Sequence, residues 1–481
     1  MKKINFIYSV TEIVKNKADD NIYKYVVLPN NLKFLLISDL NADKSGCSLS
    51  VGIGSFDEKI NGLAHFLEHL LFMGTEKYPE ENAYMDFLNL NNGSSNAYTT
   101  DECTVYYFDI SNNYIDKGLD MFAQFFISPL FNKDSVDREM SAVNSEFLSN
   151  VENENSRMHR ILQLCCNKDT RESNFNIGNF ETLNIENIRD HVINLYETKY
   201  SADKMIGVLY SNKSIEEMEK MINVFNLIKN KNNQIQNENE NSDFFYNRFI
   251  QYILKVQKIN FLHKKIYSFQ DIIRNDCKNK IIKYKSIEKS KKLAIFIKTG
   301  SSLICPILFT HIVDQFNMED TGCIAILKDK NLAYDVSISI DNVSWYGLFC
   351  IEIYPTNYGT NKLDDILKVI NEYFLNFKNW NFKCLINRNK INFEYKEKED
   401  VIDVVEELSE RLQTVSIVNI LNFEYTNDVP DQDLINEVIK SLGNKDQWII
   451  LYADDEYTSK FNDGIFGIEV DSFLIKKMQV F

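Results

Sequence analysis

Apolar and polar positions alternate in the opening runs. "IYKYVVLP" (Ile22–Pro29) and "LKFLLISD" (Leu32–Asp39) are rich in β-branched and aromatic residues, and the "PNN" between them is a turn signal, so the pair predicts a hairpin. "CSLSVGIGS" (Cys47–Ser55) predicts a further strand. The period then becomes helical, from Gly62 to about Met73 and from Glu80 to about Leu90. Two strands follow, "SSNAYTT" and "CTVYYFDI". Helices are predicted from Tyr114 to about Leu164 and from Asn184 to Tyr200, and "KMIGVLY" (Lys204–Tyr210) as a closing strand.

"NKNNQIQNENENSD" (Asn230–Asp243) is almost free of apolar residues and reads as a solvated linker. It separates residues 1–229 from residues 244–481. The second half repeats the theme loosely. Strands are predicted at "KLAIFIKT" (Lys292–Thr299), "AYDVSISI" (Ala333–Ile340), "YGLFCIEIYP" (Tyr346–Pro355) and "QWIILYA" (Gln447–Ala453). Helices are predicted from Lys362 to about Phe377 and through much of Phe382–Ser416. Segregated strands and helices give an α+β class, with mostly antiparallel sheets covered by helices. The repeated order predicts an internal duplication. "HIVDQF" (His311–Phe316) lies in the second half roughly where "HFLEHL" (His65–Leu70) lies in the first.

Composition narrows the function. The chain has 481 residues, enough for about two to four domains. Its net charge of −16 argues against nucleic acid and anionic membrane as partners. No apolar stretch reaches the ~20 residues that span a bilayer. The nine cysteines include no C-x-x-C pair, and Cys165 and Cys166 are adjacent, so reduced thiols are expected. The start, "MKKINFIYSVTEIVKNKADD", lacks a small-residue cleavage site and has no early arginine. A secretory signal or mitochondrial presequence is therefore not expected, and a cytoplasmic location is.

The candidate chemistry sits in "GLAHFLEHLLFMGTEKYP" (Gly62–Pro79), which holds two of only six histidines. Positions i and i+4 share a helix face, so His65 and His69 can turn both imidazoles to one metal ion, with Glu68 projecting nearby. H-x-x-E-H is the inverted zincin order. Zinc takes imidazole and carboxylate ligands and keeps a position for water. A carboxylate beside that water can act as general base, a contribution of about 10²–10⁴ in rate. Glu68 is the candidate. A catalytic zinc needs a third protein ligand, which this motif does not supply.

With "HFLEHLLFMGTEKYPEEN", "GSSNAYTTDECTVYYFD", "AQFFISPLF" and "DREMSAVNSEF", the chain resembles the insulysin branch of the pitrilysin-type metallopeptidases. The likeness is strong over the first half and faint over the second. It implies two homologous pitrilysin-type domains and a zinc-dependent endopeptidase acting on small or unfolded peptides. It implies Glu146, in "AVNSEF", as third zinc ligand, and Glu139, in "DREM", as a supporting glutamate. Seven residues separate the two, one helix face. Asn96, Ala97 and Tyr98 would form an edge strand that pairs with the substrate backbone, a mode that tolerates many side chains. Cys103 lies just beyond that strand, so thiol reagents are expected to disturb the site.

The chain also departs from the resemblance. Such enzymes have four related domains in two halves enclosing a chamber, and this chain supplies two. The arginine and tyrosine that the second half contributes have no counterpart here, and no arginine occurs between Arg274 and Arg388. A homodimer or a partner subunit would supply the missing half; the alternative is a weakly active or non-catalytic peptide-binding scaffold. A His-Pro-centred segment of the family is replaced near Arg171–Leu183, where Glu172 and Ser173 stand. That change is expected to affect local packing or substrate contacts and leave the metal site alone. Gln315 stands where a second histidine would be needed in "HIVDQF", so His311 reads as structural. His159, His191 and His263 lack partners at useful spacing.

Overall fold

The computed structural model describes residues 9–10, 13–231, 272–299, 305–343, 346–425 and 429–476. The linker expected at 230–243 lies outside these residues apart from Asn230 and Lys231, and His263 lies outside them altogether.

The first sheet has seven strands: β1 (Ser9–Val10), β2 (Ile22–Val27), β3 (Lys33–Ser38), β4 (Lys44–Val51), β5 (Ser94–Thr99), β6 (Thr104–Ser111) and β7 (Met205–Ser211). Their order is β1-β2-β3-β7-β4-β6-β5. β3 and β7 run parallel and the other pairs antiparallel. The predicted β2–β3 hairpin forms. β4 begins three residues before the expected Cys47 and ends at Val51. The opening residues Lys44, Ser45 and Gly46 carry no large apolar side chain to mark the start, and the alternation from Cys47 runs on through Ile53 past the end of the strand.

The second sheet contains β8 (Ile281–Lys285), β9 (Lys292–Thr299), β10 (Ala333–Val343), β11 (Tyr346–Pro355) and β12 (Ile449–Asp454), in the order β10-β11-β9-β12-β8. Its parallel pair is β8 with β12. The run β3-β7-β4-β6-β5 therefore matches β8-β12-β9-β11-β10 in order and direction, the duplication expected from the element order. Two mostly antiparallel sheets with covering helices make the α+β class.

The chain folds into two compact units. The first takes described residues within 1–147, 175–262 and 393–423, and the second those within 148–174, 263–392 and 424–481. Two segments thus leave the half in which they stand. The helix Val401–Arg411 lies against β4, β6 and β7. There Val405 and Leu408 join Leu35, Ile37, Val105 and Val208 in one buried cluster. A sheet apolar on both faces needs a second cover, and this helix supplies it. The other face packs Leu49, Val51, Tyr106 and Phe108 against Phe66, Leu67, Leu70 and Leu71 of the helix Leu63–Leu71.

In the second unit, His311 is buried in the helix Pro306–Phe316. Its ring lies 4.5 Å from that of Phe382, tilted by 43°, and its Nε2 lies 2.7 Å from the Asn379 carbonyl, a structural role as expected. No helix among the described residues is long and apolar enough to cross a membrane.

Candidate metal centre

The helix Leu63–Leu71 carries the H-x-x-E-H residues. Its apolar face locks it to the sheet, which leaves His65 and His69 on the open side with side chains 14% and 23% exposed. The helix Lys133–Val151 buries Val136, Met140, Val143 and Phe147 along one stripe. That anchoring brings Glu139 and Glu146, which flank the stripe, to the two histidines.

His65 Nδ1 lies 2.7 Å from the carbonyl oxygen of Ile177, and His69 Nδ1 lies 3.1 Å from Glu139 Oε2. Both partners accept, so both Nδ1 atoms carry hydrogen and both Nε2 atoms present lone pairs. The two Nε2 atoms are 3.2 Å apart, and each is 3.5 Å from Glu146 Oε2. Neutral imidazoles would turn two lone pairs and a carboxylate oxygen on one another, so the cluster calls for positive charge there: a metal ion, or in its place protons on the imidazoles. Tetrahedral bonds of about 2.0–2.1 Å space ligand atoms about 3.3–3.4 Å apart, so the triangle fits zinc. Glu146 is 46% exposed, which leaves an open side for a water ligand.

The electrostatics follow from the same contacts. Hydrogen bonds with His65 and His69 hold the Glu146 carboxyl far below the usual carboxylate range. Burial works against a charged His69, but Glu139 and Glu146 outweigh it and raise its pKa to about 9. His65 moves up too: burial opposes the shift, and Glu146 and Glu68 drive it. Glu68 is 6% exposed, and burial pushes its carboxyl up. Its Oε2 accepts a hydrogen bond from Thr99 Oγ1 at 2.6 Å.

Thr99 is the last residue of β5, which stands at the end of the sheet order. Thr100 N–H donates to the Cys103 carbonyl at 2.8 Å and closes the β5–β6 hairpin. Bonded and non-bonded pairs alternate along an antiparallel ladder, so Tyr98–Val105 and Asn96–Tyr107 are bonded pairs. The backbone N–H and C=O of Ala97 consequently point off the sheet edge. Tyr98 turns to the opposite face from Thr99, and its hydroxyl donates to Glu410 Oε2 at 2.9 Å.

The expectation for Cys103 needs correction. The thiol is buried, and burial together with Glu410 raises its pKa to about 12, so little reactive thiolate forms. Within the Arg171–Leu183 segment, away from Glu172 and Ser173, the Ile177 carbonyl lies against His65 Nδ1. Thr99, Ile177 and Glu58 were not singled out from the sequence. Strand alternation places Thr99 on the Ala97 face and could have flagged it. A backbone carbonyl such as that of Ile177 has no sequence signal.

The family description Insulinase (Peptidase family M16) matches residues 33–173. The A-factor-processing enzyme of Saccharomyces cerevisiae is 31% identical over 429 residues, covering 85% of this chain and 39% of the relative. The insulin-degrading enzyme of Drosophila melanogaster is 31% identical over 453 residues, covering 91% of this chain and 43% of the relative. This chain thus spans less than half the length of these curated relatives. The crystal structure of pitrilysin superposes with a TM-score of 0.82 at 23% identity, covering 98% of this chain and 49% of that one, a likeness of fold.

Proposed function

The chain belongs to the insulysin-type insulinase family, peptidase family M16, and on that premise we propose that it is a zinc-dependent endopeptidase acting on small or unfolded peptides. The observation that carries the reading is the convergence of His65 Nε2, His69 Nε2 and Glu146 Oε2 at tetrahedral spacing, with Glu68 beside them. Bound there, zinc would polarise the scissile carbonyl and lower the pKa of a water molecule towards neutrality. Glu68 takes the proton from the attacking water and returns it to the departing amine. Thr99 holds the Glu68 carboxylate, while Ile177 and Glu139 hold the two imidazoles in the tautomer that presents Nε2. The outer edge of β5 at Asn96–Tyr98, unpaired among the described residues, aligns the substrate strand through Ala97, whose main-chain groups accept many sequences.

Hydrolysis of a quenched fluorescent peptide tests this. Activity lost to a zinc chelator and restored by added zinc supports the reading. Hydrolysis that persists in the metal-free protein sinks it.

The share of relatives covered favours one extension. The surfaces that complete the chamber would come from beyond this segment, through a second copy or a partner subunit. A sedimentation mass equal to one chain, together with full peptidase activity, would remove that extension. Peptide binding without turnover by zinc-loaded protein would support the scaffold alternative.

A further inference from the structure

The helix that carries His65 begins at a close backbone crossing. Gly62, its N-cap, has φ +84, and Gly178, on the segment that orients His65, has φ +86. A Cβ on Gly62 would lie 2.2 Å from the Gly178 Cα, and one on Gly178 would lie 3.2 Å from the Gly62 Cα and 3.0 Å from Leu183 Cδ1. Both positions need glycine for its left-handed backbone and for the close approach. One residue before Gly178, the Ile177 carbonyl accepts from His65 Nδ1.

The rest of the segment is pinned. Phe175 packs edge-on against Phe147 of the long helix, with ring centroids 5.6 Å apart. Asn179 caps the short helix Phe180–Leu183, accepting from Thr182 N–H at 3.0 Å. Phe180 N–H donates to Asn144 Oδ1 at 3.1 Å, on the helix that presents Glu139 and Glu146. On the other side, Glu58 grips the start of the histidine helix. Its Oε1 accepts from Gly62 N–H and its Oε2 from Ala64 N–H, each at 2.7 Å. Glu58 is buried, so these bonds give its two oxygens the donors that water does not supply.

We propose that the Gly62–Gly178 crossing, locked by Glu58, is the positioning device of the metal centre. It sets the Ile177 carbonyl against His65 Nδ1 and thereby aims His65 Nε2 at the ion. It also ties the histidine helix to the glutamate helix through one short segment, so that the two nitrogens and the carboxylate oxygen keep their spacing. Glu58, Gly62 and Gly178 supply none of the candidate ligand atoms, which come from His65, His69 and Glu146. The inference rests on the reading of His65 as a metal ligand.

The test uses the full chain with Zn²⁺ and Co²⁺ as probes. Gly178→Ala and Glu58→Gln are compared with Gly74→Ala. Gly74 has φ +86 and a Cβ there would meet the Pro79 carbonyl oxygen at 2.8 Å, so the control carries similar strain without touching the His65 cradle. Chelator competition reads zinc affinity, the Co²⁺ visible spectrum reads ligand geometry, and the thermal midpoint of chelator-treated protein reads folding alone. Gly178→Ala is expected to weaken zinc binding by about 10–100-fold and to alter the Co²⁺ spectrum, and Glu58→Gln to do so by about 10-fold. Gly74→Ala lowers the midpoint and leaves affinity and spectrum unchanged. If Gly178→Ala does not fold, Glu58→Gln carries the test, because it keeps one acceptor oxygen and the side-chain volume. Wild-type affinity and spectrum in a folded Gly178→Ala or Glu58→Gln, or equal weakening in Gly74→Ala, overturns the proposal. Wild-type zinc affinity unaffected by His65→Ala removes the metal reading itself, and this proposal with it.

Discussion

Thr99→Val removes one hydroxyl from the base's surroundings and little else. The residue keeps its branched shape, which suits β5. What disappears is the 2.6 Å hydrogen bond from Oγ1 to Glu68 Oε2, together with a long 3.4 Å contact to Thr104 Oγ1 that is much the weaker of the two. Glu68 is 6% exposed, so solvent cannot readily replace the donor. A hydrogen bond to a charged group contributes about 1.5–3 kcal/mol. At about 1.36 kcal/mol per decade, its loss lowers kcat by roughly 10–150-fold if the bond holds the base in its working position. Thr99 touches neither histidine nor Glu146, so zinc content and KM should stay as in the wild type. Thr99→Ser retains the hydroxyl and should recover most of the rate. The assay is steady-state cleavage of a fluorogenic peptide, with zinc measured on the same samples. A wild-type kcat in zinc-loaded Thr99→Val refutes the reasoning, and so does a rate loss that merely tracks lost zinc.

Other expectations are separately measurable. Glu139→Ala leaves His69 Nδ1–H without its acceptor and should weaken zinc binding by about 10–100-fold in a chelator competition. Leu408, 3% exposed beneath the second face of the first sheet, should cost about 2–5 kcal/mol when changed to alanine, read by denaturant unfolding. Asp39 is buried, but hydrogen bonds from Lys398, Tyr210 and the Asn41 amide hold its carboxyl below its ordinary 3.8. A depressed acid stabilises the fold fully above that ordinary value and loses the contribution as pH falls through the folded one. Asp39→Asn should therefore lower the thermal midpoint at neutral pH, and its difference from wild type should vanish in acid.

The sequence revealed most where chemistry is local. His65, Glu68 and His69 fall on one helical turn, so period alone groups them. Glu146 lies far along the chain and was found only through the motif that resembles the family; the stripe of Val136, Met140, Val143 and Phe147 is what carries it to the histidines. Glu58, Thr99 and Ile177 act by tertiary approach, and no spacing rule announces a carbonyl or a hydroxyl. The helix Val401–Arg411 was legible as a helix, but its place on the first sheet was not, because its apolar stripe fits any apolar face. The start of β4 was hidden for a simpler reason: Lys44, Ser45 and Gly46 carry no large apolar side chain, so the alternation shows only from Cys47.

The most direct test of the central claim is a mass-spectrometric digest of a mixed peptide pool by zinc-loaded wild type and zinc-loaded Glu68→Gln. The proposed reading puts Glu68 beside the ion and outside the ligand set of His65, His69 and Glu146, so both proteins should hold one zinc, and only the wild type should cut. Equal cutting by the two would contradict the assignment of the base. Zinc retained with no cutting by either would contradict peptidase activity in this chain alone.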